Sequence, residues 1–278
     1  MARKKIAYLG PPGTFTEEAT IKYDEKAQLL PFMSISAVVS AVETGIAEEG
    51  VVPIENSLEG SVTETLDLLI HDSGLLIRRE LVLPIEHHLL TKPDVEAPQV
   101  NIIFSHPQAL GQCRRFLERC FPKAQAVAAL STAAAVEQMM SSATPAAAIG
   151  TQRAATLHGA RILARDIQDR SPNVTRFAVL AAQDHPPTNR DKTSVCFSFN
   201  DDHPGLLCAV LEEFARQSIN LAKIESRPSK EGLGRYVFLV DLEGHREERM
   251  VGQVLDRARG KTSMFKILGS YPRHEERA

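Results

Sequence analysis

A change of rhythm near residue 185 constrains the fold of this chain more than any other feature. Before it, short apolar runs alternate with amphipathic helical patterns. Lys5 to Leu9 reads as a strand, Gly10 to Gly13 as a turn and Thr14 to Tyr23 as a helix. A strand over Gln28 to Phe32 leads to a helix near Ile35 to Thr44, and a strand over Gly50 to Pro53 precedes a helix from Val62 to His71. Further strands at Ile102 to Ser105, Ala126 to Leu130 and Ala146 to Ile149 are each followed by a helical segment. Such alternation predicts α/β layers with largely parallel sheet. Leu75 to Leu90 interrupts it as a long β-rich stretch, and Arg176 to Leu180 reads as a strand returning to the first set. The pattern predicts two α/β lobes joined by crossing strands, with a ligand cleft between them.

Residues Gln183 to Asp191 are polar, contain Pro186 and Pro187 and show no periodicity, so they read as a linker. Beyond them come a strand (Thr193 to Phe199), a helix (Gly205 to Gln217), two strands (Asn220 to Arg227, Arg235 to Leu242), a helix (Glu247 to Arg259) and a strand (Met264 to Tyr271). This βαββαβ order is the ferredoxin-like signature. Leu207, Val210, Leu211 and Phe214 form the apolar stripe of its first helix. A chain of 278 residues suits two domains. The boundaries expected are 1–184, with lobes of about 1–75 plus 172–184 and of 76–171, and then 192–273.

A formal net charge of -3 gives no electrostatic reason for binding nucleic acid. Any anionic ligand must be held by local geometry rather than by a global field. No apolar stretch approaches the roughly 20 residues of a membrane helix. The run from Ile6 to Leu9 is too short for a signal peptide, so a cytoplasmic location is expected. Cys113 and Cys120 lie seven apart, a spacing that suits one helix face; with Cys196 and Cys208 they form no C-x-x-C pair and read as small buried hydrophobes. His87 and His88 face opposite sides of a strand and cannot share one ion, so structural roles are expected for both. No metal or cofactor is expected.

Five segments carry candidate chemistry. Gly10 to Glu18 sits at a strand-to-helix junction but lacks the lysine of a P-loop and the G-x-G-x-x-G of a dinucleotide fold. There Thr14 or Thr16 reads as a helix cap, or the helix start as a seat for a carboxylate. Ser105-His106-Pro107-Gln108 and Ser131-Thr132 carry the same two readings. Several such helix starts converging on one cleft would build an anion site without lysines. Pro53 to Ser61 is dense in hydrogen-bonding groups where α/β proteins bind ligands. Ser57 and Ser61 there are also explained as turn and cap, Glu55 and Asn56 less well. Asn173 to Phe177 offers the Arg176 fork for a carboxylate and the Thr175 hydroxyl, both donor and acceptor.

Together these segments, in this order and over essentially the whole chain, resemble prephenate dehydratase of the monofunctional kind. The C-terminal part, with Glu225-Ser226-Arg227-Pro228, resembles the ACT domain of that family. The resemblance implies a two-lobed catalytic domain like the type II periplasmic binding proteins and a ferredoxin-like regulatory domain. It implies cofactor-free conversion of prephenate to phenylpyruvate, carbon dioxide and water in L-phenylalanine biosynthesis. Thr175 takes the place of the family's essential hydroxyl, and Glu55 is then the candidate acid, provided burial raises its pKa. Asn56, Ser105 and Gln112 match positioning residues. Thr14, Ser57, His106, Ser131, Thr132, Arg176 and Phe177 are the expected substrate contacts. L-phenylalanine is expected as effector between two ACT domains of a homodimer or homotetramer, near Gly205, Leu206 and Leu207 and the 225–228 segment.

One position departs from the family pattern: its Gly-Ala-Leu loop reads Gly205-Leu206-Leu207 here, a bulkier side chain at the effector site. Two other readings stand beside this one. Arogenate dehydratase would perform the same chemistry on the aminated substrate, and a non-catalytic amino-acid sensor would use the lobes for binding alone.

Overall fold

The computed structural model describes residues 3–201, 203–230, 232 and 234–274. The chain begins with β1 (Lys5–Leu9), α1 (Phe15–Tyr23), β2 (Gln28–Phe32), α2 (Ile35–Glu43), β3 (Glu49–Asn56), β4 (Gly60–Ser61) and α3 (Thr63–Asp67), which continues as a π turn over Leu68–Asp72. It goes on through β5 (Leu76–Pro84), β6 (His88–Thr91), β7 (Ile102–Ser105), α4 (Pro107–Gln112), α5 (Arg114–Cys120), β8 (Gln125–Ala128), α6 (Thr132–Ser141), β9 (Ala146–Gly150), α7 (Gln152–His158), β10 (Arg161–Ala164) and β11 (Val174–Ala181). The last elements are β12 (Asp191–Ser198), α8 (Leu206–Ala215), β13 (Leu221–Pro228), β14 (Tyr236–Glu243), α9 (Arg249–Arg259) and β15 (Met264–Pro272).

Two sheets carry the first eleven strands, in the orders β2-β1-β3-β11-β5, with β4 on β3, and β10-β6-β9-β7-β8. Both obey one rule. The first strand lies between the second and third, and a strand arriving from elsewhere in the chain (β11 or β6) is inserted between the third and fourth. This repeated order carries the α/β layering that the sequence pattern predicts, but in mixed sheets rather than the largely parallel ones expected. Within the second sheet β7 runs parallel to β8 and β9, while β6 is antiparallel to β9 and β10. All five residues of β9 are buried, as parallel strands covered on both faces require. Four are small: a Cβ on Gly150 would lie 2.7 Å from Val136 Cγ2 of α6. Thr14, Ser131 and Thr151 start α1, α6 and α7, each side-chain oxygen accepting the N–H three residues on.

The third sheet, β13-β14-β12-β15, is antiparallel throughout. With α8 and α9 on one face it forms the ferredoxin-like unit that the βαββαβ order predicts. Val195, Phe197, Val240 and Leu242 of the strands pack against Val210, Phe214, Val251, Val254 and Leu255 of the helices. Of the α8 stripe, Val210 and Phe214 are buried in this core and Leu207 packs against it, whereas Leu211 is half-buried outside it.

The chain divides into two compact units, residues 1–38, 51–62 and 82–177, and residues 39–50, 63–81 and 178–278. The second unit holds more than the polar linker would suggest. Within it Lys266 Nζ donates to the carbonyls of Leu69 (2.7 Å) and Ser73 (2.8 Å), Lys192 pairs with Glu80 at 2.8 Å and Arg227 with Asp67 at 3.3 Å. Charges so deeply placed persist only when paired. The linker is fastened as well: Asp184 pairs with Arg246 at 2.9 Å and accepts the Ser270 N–H, and Asp191 accepts the Thr188 N–H and hydroxyl.

Several local expectations are corrected. The strand read over Gly50 to Pro53 runs on to Asn56, so Glu55 and Asn56 are strand residues. The helix read from Val62 to His71 is a short α-helix followed by a π turn. Leu75 to Leu90 is two strands broken over Ile85 to His87. Cys113 sits buried at the junction of α4 and α5, whereas Cys120 is exposed at the end of α5, so the two share no buried face. Burial pushes the thiols of Cys113 and Cys196 up to about 12, which keeps them protonated and unreactive. Cys120 and Cys208 are exposed, against the buried reading. No helix among the described residues is long and apolar enough to cross a membrane.

Candidate active site

A cavity of about 610 Å3 opens within the first unit, lined from both of its sheets. β3 and β11 supply Asn56, Thr175 and Phe177; the turn before α1 supplies Gly10, Pro11 and Thr14. Across from them stand His106, Gln108 and Gln112 of the α4 segment, Ser131 and Thr132 at the start of α6, and His87 from the β5–β6 break. Eight of the residues named from sequence thus line one cavity: Thr14, Asn56, Gln112, His106, Ser131, Thr132, Thr175 and Phe177.

Strand geometry explains the ones that do not. Successive side chains of a strand face opposite ways. Thr175 and Phe177 line the cavity and Arg176 between them does not; Glu55 is not in the lining either, although Pro53 two residues before it is. Arg176 and Glu55 meet instead, Nη2 to Oε2 at 2.9 Å and Nε to Oε2 at 3.1 Å. Expected as acid and as carboxylate fork, Glu55 and Arg176 pair with each other and are not among the residues that line this cavity. Ser57 Oγ accepts the Val174 N–H at 3.0 Å and holds the start of β11. Ser105 is fully buried and donates to the Ile149 carbonyl at 2.9 Å, tying β7 to β9. Neither lines the cavity.

The polar centre is a run of directed hydrogen bonds. Asn56 Oδ1 accepts the backbone N–H groups of Leu58 (2.9 Å) and Glu59 (3.1 Å). Its Nδ2 therefore faces the other way, donating to Thr175 Oγ1 at 2.9 Å and Asn173 Oδ1 at 2.8 Å. Asn173 Nδ2 donates to Gln112 Oε1 at 2.9 Å, and Gln112 Nε2 to Glu59 Oε1 at 3.3 Å. Since Thr175 Oγ1 accepts from Asn56, its own O–H is left to donate to a ligand. Asn173 was recognised in sequence only as part of a motif, and it proves to be the link between the two halves of this run.

Among the described residues the cavity lining contains no Asp, Glu, Lys or Arg. Its capacity for anions comes from helix starts. The Thr14 hydroxyl is committed, donating to Leu9 O at 3.2 Å and accepting the Glu17 N–H at 3.3 Å. What the α1 start offers is the first-turn N–H groups of Phe15 and Thr16, which have no intrahelical acceptor, backed by the helix dipole. Ser131 likewise caps Ala134 at 3.0 Å and leaves the N–H groups of Thr132 and Ala133. Glu17, in the first turn of α1, is held away from this role by the Gly13 N–H at 2.7 Å and Arg153 at 3.2 Å.

His87, read from sequence as structural, lines the cavity and lies 2.9 Å from Gln112 Oε1 through Nε2. The signal was hidden because the β-rich stretch breaks at this residue. Glu86, His88 and Asp166 bring ligand-type atoms within 4.8 Å of one another, but His88 Nδ1 already accepts the Asp166 N–H at 3.3 Å, which accounts for the cluster as a turn.

In the second unit a smaller cavity, about 170 Å3, is lined by Gly205, Leu206 and Leu207 with Phe199, Tyr236 and Phe238. Glu225, Ser226, Arg227 and Pro228, the second half of the expected effector residues, do not line it. The register of β13 shifts between Leu221 and Lys223, and the half-buried side chains after the shift are Lys223, Glu225 and Arg227. They form an ionic group, Glu225 with Arg227 at 3.2 Å and with Lys223 at 3.1 Å, and Arg227 with Asp67.

The prephenate dehydratase family model matches residues 6–185, and the ACT domain model residues 195–256. A bifunctional chorismate mutase/prephenate dehydratase of Aquifex aeolicus is 45% identical over 270 residues, 97% of this chain and 74% of that protein. The crystal structure of prephenate dehydratase from Arthrobacter aurescens in complex with L-Phe aligns with a TM-score of 0.89 at 36% identity, covering 97% of this chain and 90% of that one. The structure described as GqqA, a quorum quenching acylase, aligns at 0.87 and 29% identity, covering 98% of each chain. With the family model matched over residues 6–185, and an ACT domain following it, the chain belongs to the prephenate dehydratase family.

Proposed function

We propose that the cavity around Thr175 decarboxylates and dehydrates prephenate, and that the observation carrying this is the Asn56 amide donating to Thr175 Oγ1 inside a lining without charged side chains. Loss of the ring carboxylate as carbon dioxide leaves its electron pair on the ring. The pair moves through the diene and expels the C4 oxygen, and the ring becomes aromatic. The oxygen leaves as hydroxide, hydrogen-bonded to the Thr175 hydroxyl, and takes a proton from solvent to become water. The protein's contribution is a donor aimed at the developing charge, carboxylates seated at the α1 and α6 starts, and apolar walls such as Phe15, Phe177 and Leu130 that keep the decarboxylating group dry. A lining without acidic side chains suits the keto acid better than its amino counterpart, whose ammonium would find no carboxylate to pair with.

The boundaries we infer for activity are residues 1–184 for catalysis and 192–273 for regulation, in a cytoplasmic homo-oligomer. L-phenylalanine, bound in the Arthrobacter relative, is the proposed effector here, entering at Gly205 to Leu207 and lowering activity by binding more tightly to a less active state. The acylase reading finds less support: among the described lining residues no serine or threonine hydroxyl is hydrogen-bonded to a histidine. Incubating the pure protein with prephenate, with and without L-phenylalanine, and following phenylpyruvate by ultraviolet absorbance tests this reading. No product above the uncatalysed rate would refute the catalytic part.

A further inference from the structure

We infer that His87 is a positioning residue for this reaction: as the Nε2–H tautomer it donates to Gln112 and holds the amide run that points the Thr175 hydroxyl at the substrate. The inference rests on the activity proposed above. Its argument starts at two backbone N–H groups, which can only donate. Leu58 and Glu59 fix Asn56 Oδ1 toward themselves, so Nδ2 must face Asn173 and Thr175. Asn173 is then oriented with Oδ1 toward Asn56 and Nδ2 toward Gln112. Gln112 is left presenting Oε1 to both Asn173 and His87, and an acceptor oxygen 2.9 Å from Nε2 requires a proton on Nε2.

The ring has no room for other arrangements. His87 is 3% exposed, Phe15 meets it edge-on at 5.7 Å, and Nδ1 is buried without a hydrogen-bond partner. A neutral Nε2–H imidazole tolerates this, since bare Nδ1 is an acceptor. Protonation would create a buried N–H with nothing to receive it, a costly state. Burial, and then His88 beside it, hold the His87 pKa below the usual histidine range, with the Gln112 hydrogen bond working the other way. The charged group nearest along the run is Glu59, which Gln112 Nε2 reaches at 3.3 Å. Protonation leaves the Nε2–H on Gln112 and adds an N–H at Nδ1 that only a shift of the ring can satisfy, so below the titration of His87 the ring moves and displaces Gln112, and the Thr175 geometry with it.

The test compares His87→Leu, which removes the donor, with His87→Gln, whose amide nitrogen can stand where Nε2 stands but does not titrate. In kinetics corrected for uncatalysed conversion, His87→Leu is expected to lower kcat by about tenfold, the scale of one hydrogen bond at the transition state, with KM changed less than about twofold. His87→Gln should recover most of kcat and lose the acidic limb of the wild-type profile. A folded His87→Leu at wild-type kcat, a His87→Gln as poor as the leucine variant, or an unchanged acidic limb in His87→Gln would each overturn the inference. Nitrogen-15 spectra of the imidazole in the full chain give a readout without turnover: a protonated Nε2 is expected, and a protonated Nδ1 at neutral pH would overturn the assignment. A wild-type protein that leaves prephenate untouched would instead refute the activity, while the spectra still decide the tautomer.

Discussion

Asn56 Nδ2 donates to Thr175 Oγ1 at 2.9 Å, across 119 positions of sequence, and so fixes which way that hydroxyl can act. Thr175→Val keeps the shape of the side chain and removes its oxygen; kcat should fall by about a hundredfold or more, the loss seen when one donor to a developing oxyanion is removed. Thr175→Ser should retain far more. Steady-state rates on prephenate check both, and a valine variant near the wild-type rate would remove Thr175 from the chemistry.

Asn56→Asp tests direction rather than presence. The carboxylate cannot donate to Thr175, and it offers an acceptor that draws the hydroxyl proton away from the ligand. We expect a loss comparable to that of Thr175→Val, about a hundredfold in kcat, although the hydroxyl is still there. Activity within about threefold of wild type would mean that the Asn56 donor does not orient Thr175.

Glu55→Gln should change little. Glu55 sits with Arg176 outside the lining, half-exposed, where an ion pair is worth about 1 kcal/mol or less. The pH–rate profile is expected to keep its shape, and a lost limb would return Glu55 to the role of acid.

What the sequence made legible follows from how local each signal is. Helix starts are local: Thr14 and Ser131 announce their caps, and both reach the cavity. The βαββαβ order is local as well, each element carrying its own period. Side-chain direction near a strand end is not, because it depends on where the strand stops. Reading a strand end at Pro53 left Glu55 free to serve as an acid, whereas its continuation to Asn56 alternates Glu55 away from Asn56. The common order of the first two sheets left no repeat in the sequence, since strand order is set by which strands pair, not by residue identity. His87 was invisible for a further reason. Its role lies in a hydrogen bond to Gln112, 25 positions away, and in a tautomer fixed by amides farther still.

Leu206 lines the small cavity of the second unit where the family pattern has alanine. If it crowds the effector, Leu206→Ala should tighten L-phenylalanine binding by about fivefold, close to 1 kcal/mol. Calorimetry on the full chain measures this directly. Weaker binding would show that Leu206 contributes contact rather than obstruction.

Gly269 offers a test of the second unit that leaves catalysis aside. It lies on β15 opposite Ser194, beside the irregular pairing with β12, at φ +144, where side chains are strained. A Cβ there would stand 2.2 Å from Ile77 O and 2.7 Å from Ile77 N, both backbone atoms of β5 that cannot rotate aside. Gly269→Ala should therefore force the two strands apart and cost about 2 kcal/mol or more. Gly260→Ala is the control: Gly260 has helical φ −64 and a new Cβ would come no closer than 3.5 Å to the Arg257 carbonyl. That substitution should be neutral or stabilising by about 0.5 kcal/mol, through reduced freedom of the unfolded chain. Urea midpoints of both variants decide the matter. Equal midpoints would mean that β15 and β5 approach less closely than the structure shows, and that the ties from Lys266 and Lys192 hold residues 63–81 to the sheet without backbone contact.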